Sequence, residues 1–522
     1  MEGRNRYNNI LTAKWIILIP FCLYLILSIG RVLTNMPWCD ESWFASSAVN
    51  LVRDGFMGNT NFIGVGTPWE TLAKYTYWQP PVYFLTQALT FKLFGIGIAQ
   101  VRSISVFWGF MGLIAVYYLA KEVFSNNQKL IFLSLLLIGT ANFYISAASD
   151  GRMDMMAATL SLIGFTLYIN LRERNFNLSV LLGNVFVCLS GLTHPNGILG
   201  LLVLLFLIIY LDKNKITFKS IMMGLIPYIL GAVGWGLYIF QDLEAFKSQF
   251  LANVLRPGDK EYVTGFKWGA IYSEIINRYL YSFGFLHKTS PQLGLLSYSG
   301  VPVLLIFFSG LICGPFLMKE KKVKILWYML LLYFLGFMFL IGNKTAAYLV
   351  WIVPLFLLNL VGVFSVIFKD SNFYSLKRSL KIFKWNNLLY IFFLLSFVYT
   401  VLYAMGYTGY LVNKNFYYKQ YLCDLTVFND KYYDGGKIYG SGELTFFYNF
   451  NDNIIQDDVR MGYYTGIKPD YFVVEIRYNN WFERFKKQEP LVYDYITRNL
   501  STEYTEVYKG KFYTFYKRSL NT

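Results

Sequence analysis

Asp40 and Glu41 stand side by side between Trp38 and Trp43, shortly after an apolar run from Trp15 to Val32. Adjacent carboxylates beside interfacial tryptophans suit acid/base work or cation binding; the alternative is a solvated loop pair at an aromatic belt. Ser149-Asp150-Gly151-Arg152-Met153-Asp154 packs charge into a short turn between two further apolar runs. Arg152 could hold a phosphate, with Asp150 or Asp154 orienting it, or the turn could be hydrated around a local ion pair. Asp154 opens an apolar run and so sits close to membrane depth. His194, in THPNG, could be a phosphate donor, a metal ligand or a helix-end residue. Lys344 and Tyr348 lie in GNKTAAYLVWIVP, and Arg102 opens another apolar run, where snorkelling is its bland reading.

The elements that must position these residues are membrane spans. Of 522 residues, 55% are apolar and 15% charged, too few charges for a soluble enzyme. The long apolar runs specify an all-α polytopic membrane protein. Eleven spans are expected, near 13–33, 101–120, 130–147, 154–171, 178–193, 197–211, 218–240, 299–317, 325–342, 346–368 and 388–409. The first run is long enough to span and lacks a small-residue cleavage site, so it reads as a retained span. PPVYFLTQALTFKLFG, residues 80–95, is too short and carries Gln87 and Lys92; it reads as an interfacial helix.

That choice puts the basic loops on one side. Lys121 and Lys129, Arg172 and Arg174, Lys213, Lys215 and Lys219, the 319–324 lysines and the 369–384 cluster all fall inside; the short outside loops hold only Arg152 and Lys344. The formal net charge of +16 therefore reports orientation, and nucleic-acid binding is not expected. The N-terminus is expected inside, and the integral membrane protein belongs in a plasma or bacterial inner membrane. Residues 1–409 form the transmembrane domain, with external loops at 34–100 and 242–298. Residues 410–522 form a small extracytoplasmic α+β domain, with strands expected in GGKIYGSGE, PDYFVVEI and EYTEVYKGKFYTFYKR and a helix in SGELTFFYNF. The five cysteines show no metal or disulfide spacing.

On this topology Arg102, Arg152, His194, Lys344 and the Asp40-Glu41 pair share the outer membrane face. Basic groups at a lipid–water boundary suit a lipid-linked phosphate, and a nearby carboxylate suits deprotonation of an attacking hydroxyl. Membrane lipids and an external acceptor are the other partners. A divalent metal could replace one cation, with Glu41 or Asp154 as ligands, though no ligand spacing demands one.

Over residues 36–165 the chain resembles the GT-C glycosyltransferases, specifically the protein O-mannosyltransferase and lipid A aminoarabinose transferase group. PWCDESWFASSAVNLVRDG resembles the group's acidic first-loop motif and following helix. YWQPPVYFLTQALTFKLFG resembles its surface-lying PP helix, QVRSISVFWGFMGLIAVYYLAKEVF its arginine-led span, SDGRMDMMAATLSLIGF its Arg-x-Asp turn, and NKTAAYLVWIVPLFLLNL its segment near the phosphate site. The resemblance implies an inverting transferase that uses a polyprenyl-phosphate sugar. It implies Asp40 as base or acceptor-orienting group, with Glu41 as helper, and Arg102, Arg152, Lys344 and Tyr348 around the donor phosphate. Trp78-Gln79 stand where the group often has His or Lys before the PP pair; Lys74 or His194 could substitute, with Gln79 supporting. Two other classes compete. A glycan ligase of the O-antigen type would use basic residues of loop 242–298, such as Arg256, Arg278, His287 and Lys288. A lipid-phosphate transporter or flippase would show paired repeats and broken helices in both halves.

Overall fold

The computed structural model describes residues 16–255, 264–280, 282–283, 300–318, 320–369, 398, 400–413, 417–476 and 478–519. Arg256, His287, Lys288, the basic residues 377–384 and most of the expected span 388–409 lie outside them.

The apolar runs become helices α1 (Leu18–Thr34), α2 (Cys39–Arg53), α3 (Val82–Phe94), α4 (Ile98–Val123), α5 (Gln128–Gly139), α6 (Asn142–Ser149), α7 (Asp154–Leu171), α8 (Phe176–Thr193), α9 (Ile198–Asp212) and α10 (Phe218–Ile239). They continue as α11 (Leu243–Leu255), α12 (Trp268–Ser273), α13 (Gly300–Leu317), α14 (Lys321–Phe339) and α15 (Leu349–Lys369). Among the described residues seven helices are long and apolar enough to cross a membrane, or nine if two bent pairs each count as one span. One bent pair corrects the expected span 130–147: α5 and α6 meet at 56°. The break leaves Asn142 at the start of α6, where its carbonyl and side-chain oxygen accept from Arg31.

Helix α15 is the bundle's axis. Its face from Leu349 to Val361 is almost wholly buried, packed by α14, α13, α5 and α6. In lipid, helices gain little from the hydrophobic effect, so close packing and interhelical hydrogen bonds hold them. Asn359 supplies one such bond, donating to the Gly310 carbonyl at 3.0 Å. Helix α10 lies at the rim, with Ile221, Leu225, Ile229, Leu230, Val233 and Leu237 exposed.

Helix α3 has 13 residues, about 20 Å at ~1.5 Å each against a core of about 30 Å. Leu85, Leu89 and Leu93 are exposed along one stripe, while Tyr83, Phe84, Gln87 and Phe91 are buried against α2 and α4. This is the pattern expected of a helix that lies along the bundle end rather than through it.

Beyond Tyr417 the pattern changes period. A five-stranded mixed sheet runs β2 (Ile455–Asp457), β1 (Ile438–Gly440), β3 (Tyr471–Glu475), β5 (Tyr513–Arg518), β4 (Tyr504–Lys509). β1 pairs parallel with β2 and β3; β5 pairs antiparallel with β3 and β4. Alternation splits β3 between two cores. Tyr471 and Val473 pack with Leu425 and Phe428 of α16 (Tyr417–Lys431). Phe472 packs with Phe485 of α17 (Tyr478–Gln488) and Ile496 of α18 (Pro490–Thr502). The expected strands are present. β2 and these three helices are additions, and SGELTFFYNF contributes only the short 3₁₀ turn Gly442–Phe446.

The sheet is fastened to the bundle end through its open edge. Asn61 and Ile63 of the first loop pair with Asp457, the loop accepting from Asp457 N at 2.6 Å and donating to its carbonyl at 3.2 Å. An edge that would otherwise invite foreign strands is thereby covered. The 3₁₀ turn packs against α2 so closely that a Cβ on Gly442 would meet Ser42 Oγ at 2.5 Å.

Candidate active site at the bundle end

Asp40 and Glu41 are neighbours in sequence and opposites in environment. Glu41 is the third residue of α2, and its Oε2 reaches back to accept from the Trp38 backbone N–H at 2.8 Å, half of a capping box. It also accepts from Arg102 Nε (2.8 Å), Arg102 Nη2 (2.9 Å) and the Gly151 N–H (2.6 Å). Arg102 gives its remaining N–H groups to the carbonyls of Val32, Asn35 and Met36 at 2.9–3.1 Å. All five donors of the guanidinium are used, and both side chains are 1% exposed. Glu41 and Arg102 therefore lock α1, α2, α4 and the 150–153 turn together. Neither has a face left for phosphate, acceptor or metal.

Asp40, one residue back on the helix, is 29% exposed and forms an ion pair with Arg152 Nη1. Arg152 Nε also donates to Asp154 Oδ2 at 2.9 Å. Burial opposes the Arg152 charge, but Asp154 and then Asp40 outweigh it and hold its pKa above the ordinary value. Asp154 Oδ1 lies 3.7 Å from His194 Nε2. His194 Nδ1 accepts from the Asn196 N–H at 3.0 Å, which assigns the neutral ring's proton to Nε2, facing Asp154. Burial pushes the His194 pKa down to about 4, against the pull of Asp154, so the ring is neutral at physiological pH. Asp150 sits behind the turn; burial first, then Glu41, raises its pKa to about 6.

Tyr348 joins this chain to a second charged group. Its ring lies 5.3 Å from His194 and 5.8 Å from the Arg278 guanidinium carbon. Arg278 and Glu274 occupy a π-helical turn, Glu274–Leu280, and both are fully buried. Glu274 Oε1 is 3.1 Å from Arg278 Nη1, and its Oε2 is 3.1 Å from Lys344 Nζ. Arg278 donates through Nη2 to the Asn343 carbonyl at 2.7 Å and stacks over Phe337, while its Nε has no hydrogen-bond partner among the described residues. Lys344 is committed: Nζ donates to the carbonyls of Phe337, Met338 and Ile341 at 2.7–2.9 Å, capping α14. Burial lowers its pKa to about 8.

The structure thus gathers Asp40, Arg152, Asp154, His194, Tyr348 and Lys344, with Glu41, Arg102 and Asp150 behind them. Lys74 is not drawn in; it is exposed and lies 4.9 Å over the Tyr75 ring. Gln79 is buried, with its Oε1 unpartnered among the described residues. Glu274 and Arg278 are the residues that sequence reasoning misses as site members, since it raises Arg278 only for the ligase class. Their signal is an i, i+4 opposite-charge pair inside an aromatic stretch, WGAIYSEIINRYLYSF. Among the described residues no three His, Cys, Asp or Glu side chains converge to hold a metal, and the oxygens of Glu41 are fully engaged inside the protein.

ArnT from Cupriavidus metallidurans, solved bound to undecaprenyl phosphate, superposes with a TM-score of 0.60, covering 97% of this chain and 98% of that one at 14% identity. The chain has the GT-C fold. The Archaeoglobus fulgidus oligosaccharyltransferase matches with a TM-score of 0.53 over 97% of this chain and 75% of its own, at 12% identity. The same archaeal enzyme, AglB, in complex with an inhibitory peptide and a dolichol-phosphate, matches at 0.51. No protein-family model and no curated protein matches the sequence.

The sheet also reaches the site. Trp43, on α2 three residues from Asp40, donates its indole N–H to Asp457 Oδ2 at 2.5 Å. Burial, with Glu443 and Asp458 nearby and Arg460 opposing, pushes the Asp457 pKa up to about 8 from its ordinary 3.8. The folded chain then keeps a proton on Asp457 that the unfolded chain releases above about pH 4. Stability from this group is present at low pH and lost as pH rises towards 8. Thermal unfolding at pH 5, 6, 7 and 8 should therefore show the melting point falling with pH, and Asp457→Asn should flatten that slope. His194 acts in the other direction and in a lower window, between its ordinary 6.5 and about 4. A slope unchanged in Asp457→Asn assigns the pH dependence to other groups.

Proposed function

We propose that this chain is an inverting glycosyltransferase that moves a sugar from a polyprenyl-phosphate donor to an acceptor at the non-cytoplasmic face of the membrane. The observation that carries the reading is a partly exposed carboxylate joined through a chain of contacts to a buried cluster of cations. Asp40, paired with Arg152, is linked through Asp154, His194 and Tyr348 to Arg278 and Lys344. The sidedness rests on the charge distribution of the loops, and residues 1–409 and 410–522 are taken as transmembrane and soluble domains.

The donor's phosphate would lie on the Arg278 side. Glu274 cancels one of the two positive charges there, leaving a net positive site for an anion. Arg278, with Nε unspent, is the direct ligand, while Lys344 shapes the site from behind. The acceptor's O–H or N–H meets Asp40. Asp40 takes that proton as the oxygen or nitrogen attacks the anomeric carbon from the face opposite the phosphate. The bond from that carbon to the phosphate oxygen breaks, and the electron pair leaves on the polyprenyl phosphate. Fixed cations stabilise the growing charge without reorganisation, and phosphate needs no general acid. Arg152 steers Asp40, and Asp154 with neutral His194 holds Arg152.

Two substitutions separate the cations. Arg278→Gln should weaken undecaprenyl phosphate binding roughly 10- to 100-fold, the worth of a charge-assisted bond of about 1.5–3 kcal/mol. Lys344→Met should chiefly lower the melting temperature, because it uncaps α14. Tryptophan fluorescence in proteoliposomes titrated with undecaprenyl phosphate reads the first. Equal affinity in Arg278→Gln would remove Arg278 from the phosphate site. Phosphate-lipid binding without turnover of any sugar donor would favour a flippase.

A further inference from the structure

We propose that a groove at the far end of α2 binds a neutral, hydroxyl-rich saccharide segment of the acceptor. This rests on the transferase reading only for the word acceptor; the binding itself does not depend on it. The groove has a volume of about 570 Å³ and lies between the C-terminal end of α2, the loop that follows it and the 448–452 turn. Ligand clefts and cavities of roughly 300–1,000 Å³ are typical.

Its chemistry selects the ligand. Arg53, Asp54, Asn449, Asn451 and Asp452 present planar groups that donate and accept in pairs, as adjacent hydroxyls require. Phe56 and Tyr448 add aromatic surface to the lining, suited to the apolar side of a sugar. One positive charge stands against two negative ones, so the groove repels an anionic ligand. A phosphate, a uronate or an acidic lipid headgroup is therefore the wrong class. The lining differs in kind from the cation cluster proposed for the donor and shares no residue with it.

The backbone here is built for presentation. Asn449 (φ 50°) and Phe450 (φ 55°) are consecutive left-handed residues, and neither is glycine. Asparagine tolerates this conformation; a bulky phenylalanine does so only when its surroundings enforce it. Phe450 is 4% exposed, clamped beneath α2 by Ala45, Val49 and Phe91. With Phe450 driven inward, Asn449 and Asn451 turn outward and exposed. Arg53 Nη2 is then fixed by both the Asn449 carbonyl and its side-chain oxygen, each at 3.1 Å. Arg53, so held, forms one wall of the groove.

The position gives a length requirement. Asp40 to Asp54 spans about 21 Å at ~1.5 Å per residue, close to four turns. An acceptor engaging both places is an extended chain, and the groove grips it well away from the reacting group.

The full chain in nanodiscs should be applied to an array of neutral, uronic-acid and amino-sugar oligosaccharides of two to ten units, with unstructured peptides beside them. Neutral oligosaccharides should be retained, and the double variant Asp54→Ala, Asn451→Ala should bind them at least ten-fold more weakly. Both side chains are exposed, so the melting temperature should not move. Release of sugar from the donor to water should also stay unchanged. Asp452→Asn should relax the discrimination against uronic-acid oligomers. Retention of neutral oligosaccharides that depends on Asp54 supports the groove even where no donor is turned over, in which case only the transferase reading falls. No retention of neutral oligosaccharides, equal retention by the double variant, or a preference for acidic oligomers or peptides overturns it.

Discussion

Asp40→Asn is expected to lower sugar transfer from a polyprenyl-phosphate donor about 10²- to 10⁴-fold, the usual worth of a positioned general base, with undecaprenyl phosphate affinity unchanged. The amide keeps the shape of the side chain and one oxygen for Arg152, but it cannot take a proton. The loss should fall on the chemical step and not on donor binding, because Arg278, the proposed phosphate ligand, is joined to Asp40 indirectly, through His194 and Tyr348. A panel of radiolabelled polyprenyl-phosphate sugars in proteoliposomes tests this and identifies the donor sugar. Turnover that survives the substitution leaves the enzyme class standing and removes Asp40 as base. Loss of donor affinity together with turnover would mean that the Asp40–Arg152 pair supports the phosphate site instead. Glu41→Gln is the informative neighbour: its effect should appear in stability, since every oxygen lone-pair direction of Glu41 is already spent inside the protein.

The contrast between these two carboxylates shows what the sequence can and cannot disclose. That charges at 40–41, 102, 150–154, 194 and 344 meet at one end of the bundle was legible from hydropathy, because span boundaries fix depth. Which of two adjacent acids faces solvent depends on the helical phase of α2, and periodicity there is weak, with Ser46, Ser47 and Asn50 buried among the apolar residues. Arg102 reads as a phosphate ligand by its depth, yet three helix-end carbonyls within reach absorb it; the kink of chain at 32–36 that supplies them leaves no mark on composition. Asp457 is the extreme case. Its role depends on a contact with Trp43 across more than four hundred residues, which no local pattern encodes.

Arg102→Met is expected to destabilise the chain by about 3–5 kcal/mol, the usual result of stripping one partner from a buried ion pair. Glu41 would then keep only the Trp38 and Gly151 N–H groups against its buried charge, and the carbonyls of Val32, Asn35 and Met36 would lose their donor together. The double variant Glu41→Gln, Arg102→Met should recover a good part of that loss, since the orphaned carboxylate, not the missing attraction, dominates the cost. Thermal unfolding in detergent, read by intrinsic fluorescence, gives both numbers. Undecaprenyl phosphate affinity, measured on the folded fraction, should be the same in all three proteins. That pattern makes Arg102 the bolt that sets α2 at its angle and Asp40 at its place. The opposite pattern, donor affinity lost with the melting temperature held, would require Arg102 to leave Glu41 when donor binds, and would make the Glu41–Arg102 pair a gate over the phosphate rather than a fixture beneath it.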